Sequence, residues 1–380
     1  MSQESSQPTS PPAEVPRARS RTFFSWRGAV KLLATAATVF VLAECASFAI
    51  LYALALRDQA KPSPELALPA YRDQPWARTY WREHLISSAQ SYEAYPFGLW
   101  RARPFAGETL NIDDTGLRRT TDTNCGDGTP VVYVFGDSVV FGVGAPDWET
   151  LPSNLARLFA SDGRPVCVVN FGGAARTSDD SVVELMMELK RPDARRPSVV
   201  IFVDSCNDVF NRFDRPVGEE PWGFRKKWLD AQPPVRLASF GYLIGMNVRA
   251  LVERLGKRAA AQITPPMPAD PDRVGREIVE NYRYNMEIVD ALAKSYGFRY
   301  AFFLLPVNVE NEQPVYRAAV EKTFPLISTI ANNHLHDMTG VFGARQAQLL
   351  FDQCHLVPEG NRILAQKIYE IIKQDIKPSP

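Results

Sequence analysis

The stretch that decides the fold is Val131-Val132-Tyr133-Val134-Phe135-Gly136-Asp137-Ser138. Five consecutive apolar residues closed by a glycine are typical of a short strand buried on both faces of a parallel sheet. Ligands of such sheets bind outside the carboxyl ends of the strands. Ser138 therefore lies where a hydroxyl group can attack a bound acyl carbon, beside a turn whose backbone amides can face the same point.

The strand pattern recurs along the chain and alternates with helical periodicity. Further apolar runs occupy residues 166–170, 199–203 and 300–306. Helical patterns lie between or after these runs, at residues 151–160, 181–189, 272–296 and 358–372. Alternation of this kind predicts a parallel sheet with helices on both faces, and we expect a flavodoxin-like, three-layer α/β/α domain.

The N-terminal region carries a different signal. Residues 1–27 are rich in Ser, Pro and Arg and contain almost nothing apolar, which predicts a disordered tail. Residues 32–56 form an almost unbroken apolar run, ~37 Å long as a helix and sufficient to span a bilayer. Basic residues are more frequent before this run than after it. We therefore expect a transmembrane anchor at 28–57, with a cytoplasmic N-terminus and the rest of the chain in the periplasm.

Two features leave the anchor open to other interpretations. Ala53-Leu54-Ala55 resembles the cleavage site of a signal peptide, although the apolar run is about twice as long as a usual signal core. Glu44 interrupts the run, and a carboxylate within a membrane often marks a protein partner or a water-filled path. Alternatively, Glu44 is protonated there and has no function.

The composition argues against several classes of function. Lys plus Arg and Asp plus Glu are both 43, so no global field attracts nucleic acid. Of the five cysteines, Cys45 lies in the apolar run, and the other four permit disulfides in an oxidising compartment without revealing their connectivity. No Cys or His spacing indicates zinc, and we expect neither a metal nor an organic cofactor.

A hydroxyl nucleophile needs a base, and the sequence offers one near its end. Asp352-Gln353-Cys354-His355 precedes the last predicted helix and contains one of only four histidines. If His355 accepts the Ser138 proton, Asp352 holds the imidazole in the required tautomer and stabilises its charged form. An Asp-x-x-His pattern is weak evidence alone; its value comes from the serine at the strand end.

Two other strand ends carry groups that can bind an oxyanion. Asn207 follows the 199–203 strand, and its side-chain amide is a hydrogen-bond donor. The backbone amides of Gly172-Gly173-Ala174-Ala175, after the 166–170 strand, are further donors. Both features are common in ordinary turns, so it is their occurrence together at successive strand ends that supports a functional role.

These blocks, in this order, resemble the SGNH, or GDSL-type, hydrolase superfamily, and especially its bacterial members with one N-terminal membrane helix. The resemblance is carried by residues 134–150, by Ser205-Cys206-Asn207-Asp208, where the family has Gly in place of Ser205, and by residues 352–361. Upstream, Asn111-Ile112-Asp113-Asp114-Thr115-Gly116-Leu117-Arg118 is similar to a segment of many anchored members.

The resemblance implies a role for each matched residue. Ser138 would be the nucleophile and would also donate its backbone amide to the oxyanion. Asn207 would donate its side-chain amide to the same oxyanion. Asp352 and His355 would complete the triad.

The chain departs from the family's pattern at the oxyanion glycine. This glycine falls at Ala175 when Asn170 is aligned with the family's Asn. Alanine also has a backbone amide, but a positive φ disfavours it. A shift in the alignment would give the role to Gly173 instead.

The division of the chain follows from these assignments. Residues 58–125 are predicted to form a stalk and N-terminal subdomain, and residues 126–376 an SGNH-type hydrolase domain. Residues 209–271 interrupt the alternation directly after a strand end, where active-site lids are often inserted. We expect this segment to be a lid or pocket wall; the alternative is a structural excursion on the sheet edge.

The predicted function is that of a membrane-anchored serine esterase, which cleaves acyl esters, including O-acetyl esters, through an acyl-serine intermediate. Its expected partners are the membrane, through residues 32–56, and an acylated glycan or lipid as substrate. One alternative is an O-acyltransferase that uses the same residues on an exported glycan. Another is a non-catalytic, membrane-bound scaffold that retains the fold, for which Glu44 would contact a protein partner.

Overall fold

A computed structural model of the chain describes residues 26–60, 62–90, 92–204, 206–213, 247–248, 251–252, 255, 270–310, 314–330 and 332–376. Nearly all of the tail predicted at 1–27, most of the predicted 209–271 lid, and Ser205 lie outside these ranges. The fold below is that of the described residues.

The N-terminal part consists of a long helix followed by short helices and strands. Helix α1 spans Trp26–Ala60, and its stretch Trp26–Leu54 is long and apolar enough to cross a membrane, a property that signal sequences share. Two helices and two antiparallel ribbons follow: α2 (Pro69–Arg72), α3 (Ala77–Ala89), β1 (Glu93–Tyr95) with β2 (Leu99–Arg101), and β3 (Phe105–Ala106) with β4 (Asn111–Ile112). Their buried residues, such as Tyr71, Tyr80 and Ile112, belong to a core that they share with the sheet, and a separate N-terminal subdomain stays a prediction.

A five-stranded parallel sheet forms the centre of the fold. Its strands are β5 (Val131–Gly136), β6 (Cys167–Gly172), β7 (Val199–Asp204), β8 (Arg299–Leu304) and β9 (Leu335–Asp337). They are arranged in the order β6-β5-β7-β8-β9, with every pair parallel. This is the strand order of flavodoxin-like folds, so the predicted fold class is confirmed. The four predicted strands correspond to β5 to β8.

Helices cover both faces of this sheet. Val132 and Val134 of β5 point into a core shared with two helices, α5 (Leu151–Ser161) and α11 (Pro358–Ile372). Tyr133 and Phe135 point into a second core on the other face. That core contains residues of α6 (Ser178–Lys190), α7 (Cys206–Phe213), α8 (Pro271–Tyr296) and α9 (Pro314–Ser328). Two short helices, α4 (Ser138–Phe141) and α10 (Gln346–Leu349), complete the described elements.

The strand order reverses between β5 and β7, and this is the point where open α/β sheets bind ligands. The two strand ends approach closely at Gly136, where a Cβ atom would collide with the carbonyl oxygen of Val203. Glycine is therefore required there, and the chain continues directly into Asp137 and Ser138.

Glu44 of α1 has partners within the chain. Its carboxylate accepts hydrogen bonds from the backbone amides of Asn247 (2.9 Å) and Val248 (3.3 Å), which belong to the 209–271 segment. A role for Glu44 in binding another protein stays a prediction.

Candidate active site

Ser138 is held in a tight turn at the end of β5. It is the first residue of α4, and Asp137 caps this helix by accepting a hydrogen bond from the Val139 amide (2.7 Å). Gly142 ends the helix in the left-handed conformation, with φ of 92°. Among the described residues, no acceptor is bonded to the backbone amide of Ser138, which leaves this donor available beside the hydroxyl group.

Ser138, His355 and Asp352 form a hydrogen-bonded series. His355 Nε2 lies 2.7 Å from Ser138 Oγ, and His355 Nδ1 lies 2.6 Å from Asp352 Oδ2. The other oxygen of Asp352 accepts hydrogen bonds from the backbone amides of His355 (2.7 Å) and Cys354 (3.0 Å). These contacts fix the imidazole with one nitrogen towards the carboxylate and the other towards the hydroxyl.

We call residues 350–356 the acid–base loop, because it carries both Asp352 and His355. Leu350 and Leu356 pair across its base, and the Phe351 amide donates to the His355 carbonyl oxygen (3.0 Å). The Phe351 ring stacks on the imidazole, with ring centroids 5.6 Å apart. The loop therefore supports the imidazole from its own backbone and from a neighbouring ring.

The electrostatics of this series favour a charged His355. Burial alone would lower the pKa of His355, but the hydrogen bond and charge of Asp352, followed by the charge of Asp137, raise the pKa above its ordinary 6.5. Burial would raise the pKa of Asp352, and the hydrogen bonds that it accepts lower the pKa below 3.8. Asp137 is buried completely, and its pKa rises to about 6. Asp352 is thus the carboxylate that stabilises an imidazolium.

Asn207 is the second residue of α7 and lies at the same edge of the sheet. Its side-chain Nδ2 donates to the Arg176 carbonyl oxygen (3.1 Å) and lies 3.5 Å from Asp137 Oδ2. The next residue, Asp208, accepts hydrogen bonds from the amide and hydroxyl of Ser178, the latter at 2.6 Å. These contacts connect the start of α7 to the loop before α6.

Ala175 lies in that loop with a φ of 56°, one of three non-glycine residues with positive φ in the described chain. Its amide is without a bonded acceptor among the residues described. Gly173, the alternative, donates its amide to the Gly136 carbonyl oxygen (3.1 Å). The amide of Ala175 is therefore available to a ligand, and that of Gly173 is already used.

Trp100 and Arg176 hold the Ala175 loop, and neither residue was predicted to support the site. The Trp100 indole donates to the Ala174 carbonyl oxygen (2.9 Å). The Arg176 guanidinium donates to the carbonyl oxygens of Phe171 (2.9 Å) and Trp100 (2.7 Å). Because Trp100 is 74 residues from Ala174 in the chain, no local pattern could have predicted this contact.

The four cysteines outside α1 form two disulfides, Cys125–Cys167 and Cys206–Cys354, and Cys45 is unpaired. Cys206 and Cys354 each immediately precede a candidate site residue. A signal for this pairing was present, since both cysteines lie inside blocks predicted to meet at one sheet edge. The even number of cysteines alone does not reveal which cysteines pair.

One group of side chains has the composition of a metal site. Asp352, Cys354 and His355 offer ligand atoms within 4.8 Å of one another, the single such group among the described residues. Cys354 is part of a disulfide, and the other two side chains are hydrogen-bonded to each other. The cluster therefore does not offer three free ligands to a metal ion.

A cavity of about 1100 Å³ opens beside Asp352. Its wall contains an aromatic ring, amides and charges of both signs, including those of Trp76, Gln74, Asn308, Arg345 and Glu359. The volume is slightly above the roughly 300–1,000 Å³ that is usual for small-molecule sites. Space for a sizeable polar molecule therefore exists next to the acid–base loop.

Solved structures with similarity to the chain include three esterases and lipases. The lipase Lip_vut3 from a goat rumen metagenome is 15% identical, with a TM-score of 0.40, over 64% of this chain and 97% of that one. The psychrotrophic esterase EstA from a Pseudoalteromonas species is 14% identical (TM-score 0.37; 64% and 97%). A carbohydrate acetylesterase family member from Sinorhizobium meliloti is also 14% identical (TM-score 0.37; 65% and 99%). No curated protein sequence matches the chain.

The family to which the chain belongs is decided by a sequence model. The model of the GDSL-like lipase/acylhydrolase family matches residues 134–363, more than half of the 380 residues. The match begins within β5 and ends within α11, so it includes the strand end at Ser138 and the acid–base loop. The predicted resemblance is confirmed, and the chain belongs to the GDSL-like lipase/acylhydrolase family.

Proposed function

We propose that the chain is a serine esterase that cleaves acyl esters, including O-acetyl esters, through a covalent intermediate on Ser138. The observation that carries this proposal is the 2.7 Å contact between His355 Nε2 and Ser138 Oγ. A serine hydroxyl is a poor nucleophile until a neighbouring base removes its proton. His355 lies where that base is needed, and Asp352 orients its imidazole for the role.

The reaction follows from these contacts. Ser138 Oγ attacks the ester carbonyl carbon while its proton passes to His355 Nε2, and Asp352 stabilises the resulting imidazolium. His355 then gives the proton to the departing alcohol, and the acyl group stays on Ser138. Water, deprotonated by His355, attacks this acyl-serine, releases the carboxylic acid and restores the hydroxyl group.

Three donors support an oxyanion in this proposal. The backbone amides of Ser138 and Ala175 are without bonded acceptors in the described part of the chain. Asn207 Nδ2 donates to the Arg176 carbonyl oxygen (3.1 Å) and, at 3.5 Å, to Asp137 Oδ2. To act as the third donor, it would exchange the longer Asp137 contact for the oxyanion. Donors fixed before the reaction stabilise the developing negative charge at little cost in reorganisation.

The experiment is Ser138→Ala in the full chain, assayed with p-nitrophenyl acetate. We expect kcat to fall about 10³-fold or more, because removal of a triad nucleophile leaves only the contribution of the oxyanion donors and binding. Ser161→Ala, at an exposed position at the end of α5, is the matched control and should keep full activity. Equal turnover by Ser138→Ala and the control would reject the esterase and favour the scaffold.

A second candidate is O-acyl transfer, in which a sugar hydroxyl replaces water in the second half of the reaction. The cavity beside Asp352 is the observation behind it, because its volume and its aromatic and amide lining suit a polar molecule; it is lined by Asp352 and Gln353 of the acid–base loop and not by Ser138 or His355. The two reactions differ in their product. With an acetyl donor and a soluble oligosaccharide, hydrolysis yields free acetate at a rate independent of the oligosaccharide, whereas transfer yields acetylated oligosaccharide at the expense of acetate.

We also propose that the enzyme acts outside the cytoplasm and is held there by α1. Support comes from the excess of basic residues before α1. The two disulfides give further support, because such bonds persist mainly in oxidising compartments. The substrates available in that location are acylated glycans and lipids.

A further inference from the structure

A disulfide joins the two segments that carry Asn207 and His355. Cys206 directly precedes Asn207 at the start of α7, and Cys354 directly precedes His355 in the acid–base loop. The two cysteines are separated by 148 residues in sequence, and their Cα atoms lie 6.3 Å apart. Both are buried. The covalent bond therefore connects two candidate site residues that are otherwise remote in the chain.

The disulfide crosses the carboxyl edge of the sheet. Leu350 and Leu356, at the base of the acid–base loop, pack in the core shared with α5 and α11. Cys354, near the loop's tip, packs in the opposite core, as does Cys206. In the described part, the tip has two further polar contacts with the domain, and neither is with α7: the hydrogen bond from the Asn308 amide to the Gln353 carbonyl oxygen (2.8 Å) and the contact of His355 with Ser138 (2.7 Å). Much of the tip's attachment to α7 thus rests on the disulfide.

We propose that Cys206 and Cys354 are positioning residues, whose bond fixes the oxyanion donor Asn207 relative to the general base His355. This inference rests on the proposed esterase function. Ser138 bonds to His355 but not to Asn207, so the triad alone does not set the position of Asn207. A displacement of about 1 Å between groups that act on one transition state is sufficient to cost ~10²-fold in rate.

The second disulfide provides a matched control. Cys167 begins β6, and Cys125 lies in the segment before β5, so their bond is at the amino end of the sheet. The remaining five residues of β6, about 17 Å at ~3.3 Å per residue, separate it from the carboxyl edge that carries the site. Loss of Cys125–Cys167 removes a cross-link of the same kind without changing the link between Asn207 and His355.

The test uses the full chain with Cys45→Ser, purified in detergent, as the parent. Cys206→Ala/Cys354→Ala is compared with Cys125→Ala/Cys167→Ala on p-nitrophenyl acetate. A fluorophosphonate titration counts active sites, so that kcat refers to folded enzyme alone. We expect the first pair to lower kcat about 10- to 100-fold with KM within about twofold of the parent, and the second pair to change kcat less than about twofold.

A combination with Asn207→Ala separates positioning from a merely structural role. If the disulfide acts through Asn207, its removal from an Asn207→Ala protein should cost much less than its removal from the parent, because coupled residues are not additive. Additive losses, equal losses from the two disulfide variants, or an unchanged kcat in Cys206→Ala/Cys354→Ala would each overturn the inference.

Reduction of folded protein provides a test if the double variant does not fold. In Cys45→Ser/Cys125→Ala/Cys167→Ala protein, a water-soluble phosphine converts Cys206–Cys354 to two thiols and is itself oxidised, with water, to the phosphine oxide. Activity should fall as thiols appear and return when oxidised glutathione restores the bond. Unchanged activity after complete reduction would overturn the inference. A parent without Ser138-dependent activity would instead remove the proposed function itself.

Discussion

Ala175 holds a backbone conformation that is costly for any residue with a Cβ atom. A left-handed φ such as its 56° costs roughly 1–2 kcal/mol for an L-residue other than glycine. Such a conformation persists only where neighbours impose it. The Trp100 indole and the Arg176 guanidinium do so here through the carbonyl oxygens of Ala174 and Phe171, which both precede Ala175. The alanine thus presents its amide where a glycine was expected.

His355 and Asp352 lead to a prediction about pH. His355 must be neutral to accept the Ser138 proton, and its pKa is raised above 6.5, chiefly because Asp352 outweighs the effect of burial. We therefore expect kcat/KM to be low at acid pH and to rise through an inflection above pH 6.5. In Asp352→Asn, the charge is lost while burial remains, so the inflection should move to lower pH. The plateau should fall by ~10²–10⁴-fold, because the imidazole loses its orienting partner.

The measurement is kcat/KM for p-nitrophenyl acetate between pH 5 and 9, and the control is Asp193→Asn. Asp193 is an exposed carboxylate that pairs with Arg191 and lies outside the site. Its removal should leave both the inflection and the plateau in place. An inflection that stays at the same pH in Asp352→Asn would show that another group, not His355, governs the profile.

At the scale of elements, the segment 111–118 braces the turn that follows Ser138. It folds back on itself through a bridge between Ile112 and Arg118. The guanidinium of Arg118 is fully buried and pairs with Asp147 (3.0 Å). It also donates to three carbonyl oxygens at the end of α4 and beyond, those of Phe141 (3.0 Å), Gly142 (2.6 Å) and Ala145 (2.6 Å). The chain before β5 is therefore part of the support for the nucleophile.

Arg118→Met should be strongly destabilising. It would remove the charged partner of the buried Asp147 carboxylate, which keeps its contacts with Asn111, and one donor from each of three carbonyl oxygens. Loss of one partner of a buried ion pair costs about 3–5 kcal/mol in free energy of unfolding. Urea denaturation of the variant and of Arg119→Met measures this cost. Arg119 is the exposed neighbour, so its substitution should change the free energy by less than ~0.5 kcal/mol. Similar values for the two variants would mean that Arg118 does not brace the turn.

The elements that could be predicted from the sequence are those with long apolar or periodic runs. Helix α11 begins at Pro358 and ends at Ile372 as expected, because a proline at its first position and an apolar stripe are both local signals. Strand β9 was missed, since it has three residues and two of them, His336 and Asp337, are polar. Helix α9 was also missed, and it contains an internal proline, Pro325.

The part of the candidate site that could be predicted consists of residues that follow the ends of predicted strands or lie in a recognisable short motif. The structure brings Ser138, Asp352 and His355 together within hydrogen-bonding distance, and these three were inferred from the position of the serine and the Asp-x-x-His spacing. The supports from Trp100 and Arg118 were not inferred, because they join residues that are distant in the chain and no local pattern encodes such contacts. The disulfide was not inferred either, although its two cysteines lie in blocks that were predicted to meet.

At the scale of the whole molecule, α1 differs from every other described helix in what it exposes. Apolar side chains such as Leu33 (69% exposed) and Leu42 (63% exposed) line its surface. Exposure of many such groups to water is unfavourable by roughly 25 cal/mol per Å², and a long apolar exposed helix is a pattern that membrane spans and signal sequences share. The folded domain has its own two cores and does not need α1 to complete either of them.

Because neither core needs α1, we expect that membrane attachment by α1 can be removed without loss of catalysis. The full chain should stay in the membrane pellet after extraction with alkaline carbonate. A chain in which a cleavable secretion signal replaces residues 1–60 should be recovered soluble, with both disulfides formed and kcat within about threefold of that of the full chain.

Recovery of the full chain in solution, with a new N-terminus after Ala55, would establish a cleaved signal sequence instead. A large loss of kcat in the shortened chain would show that α1 contributes to the site, and the hydrogen bonds from Asn247 and Val248 to Glu44 are the contacts through which it would do so.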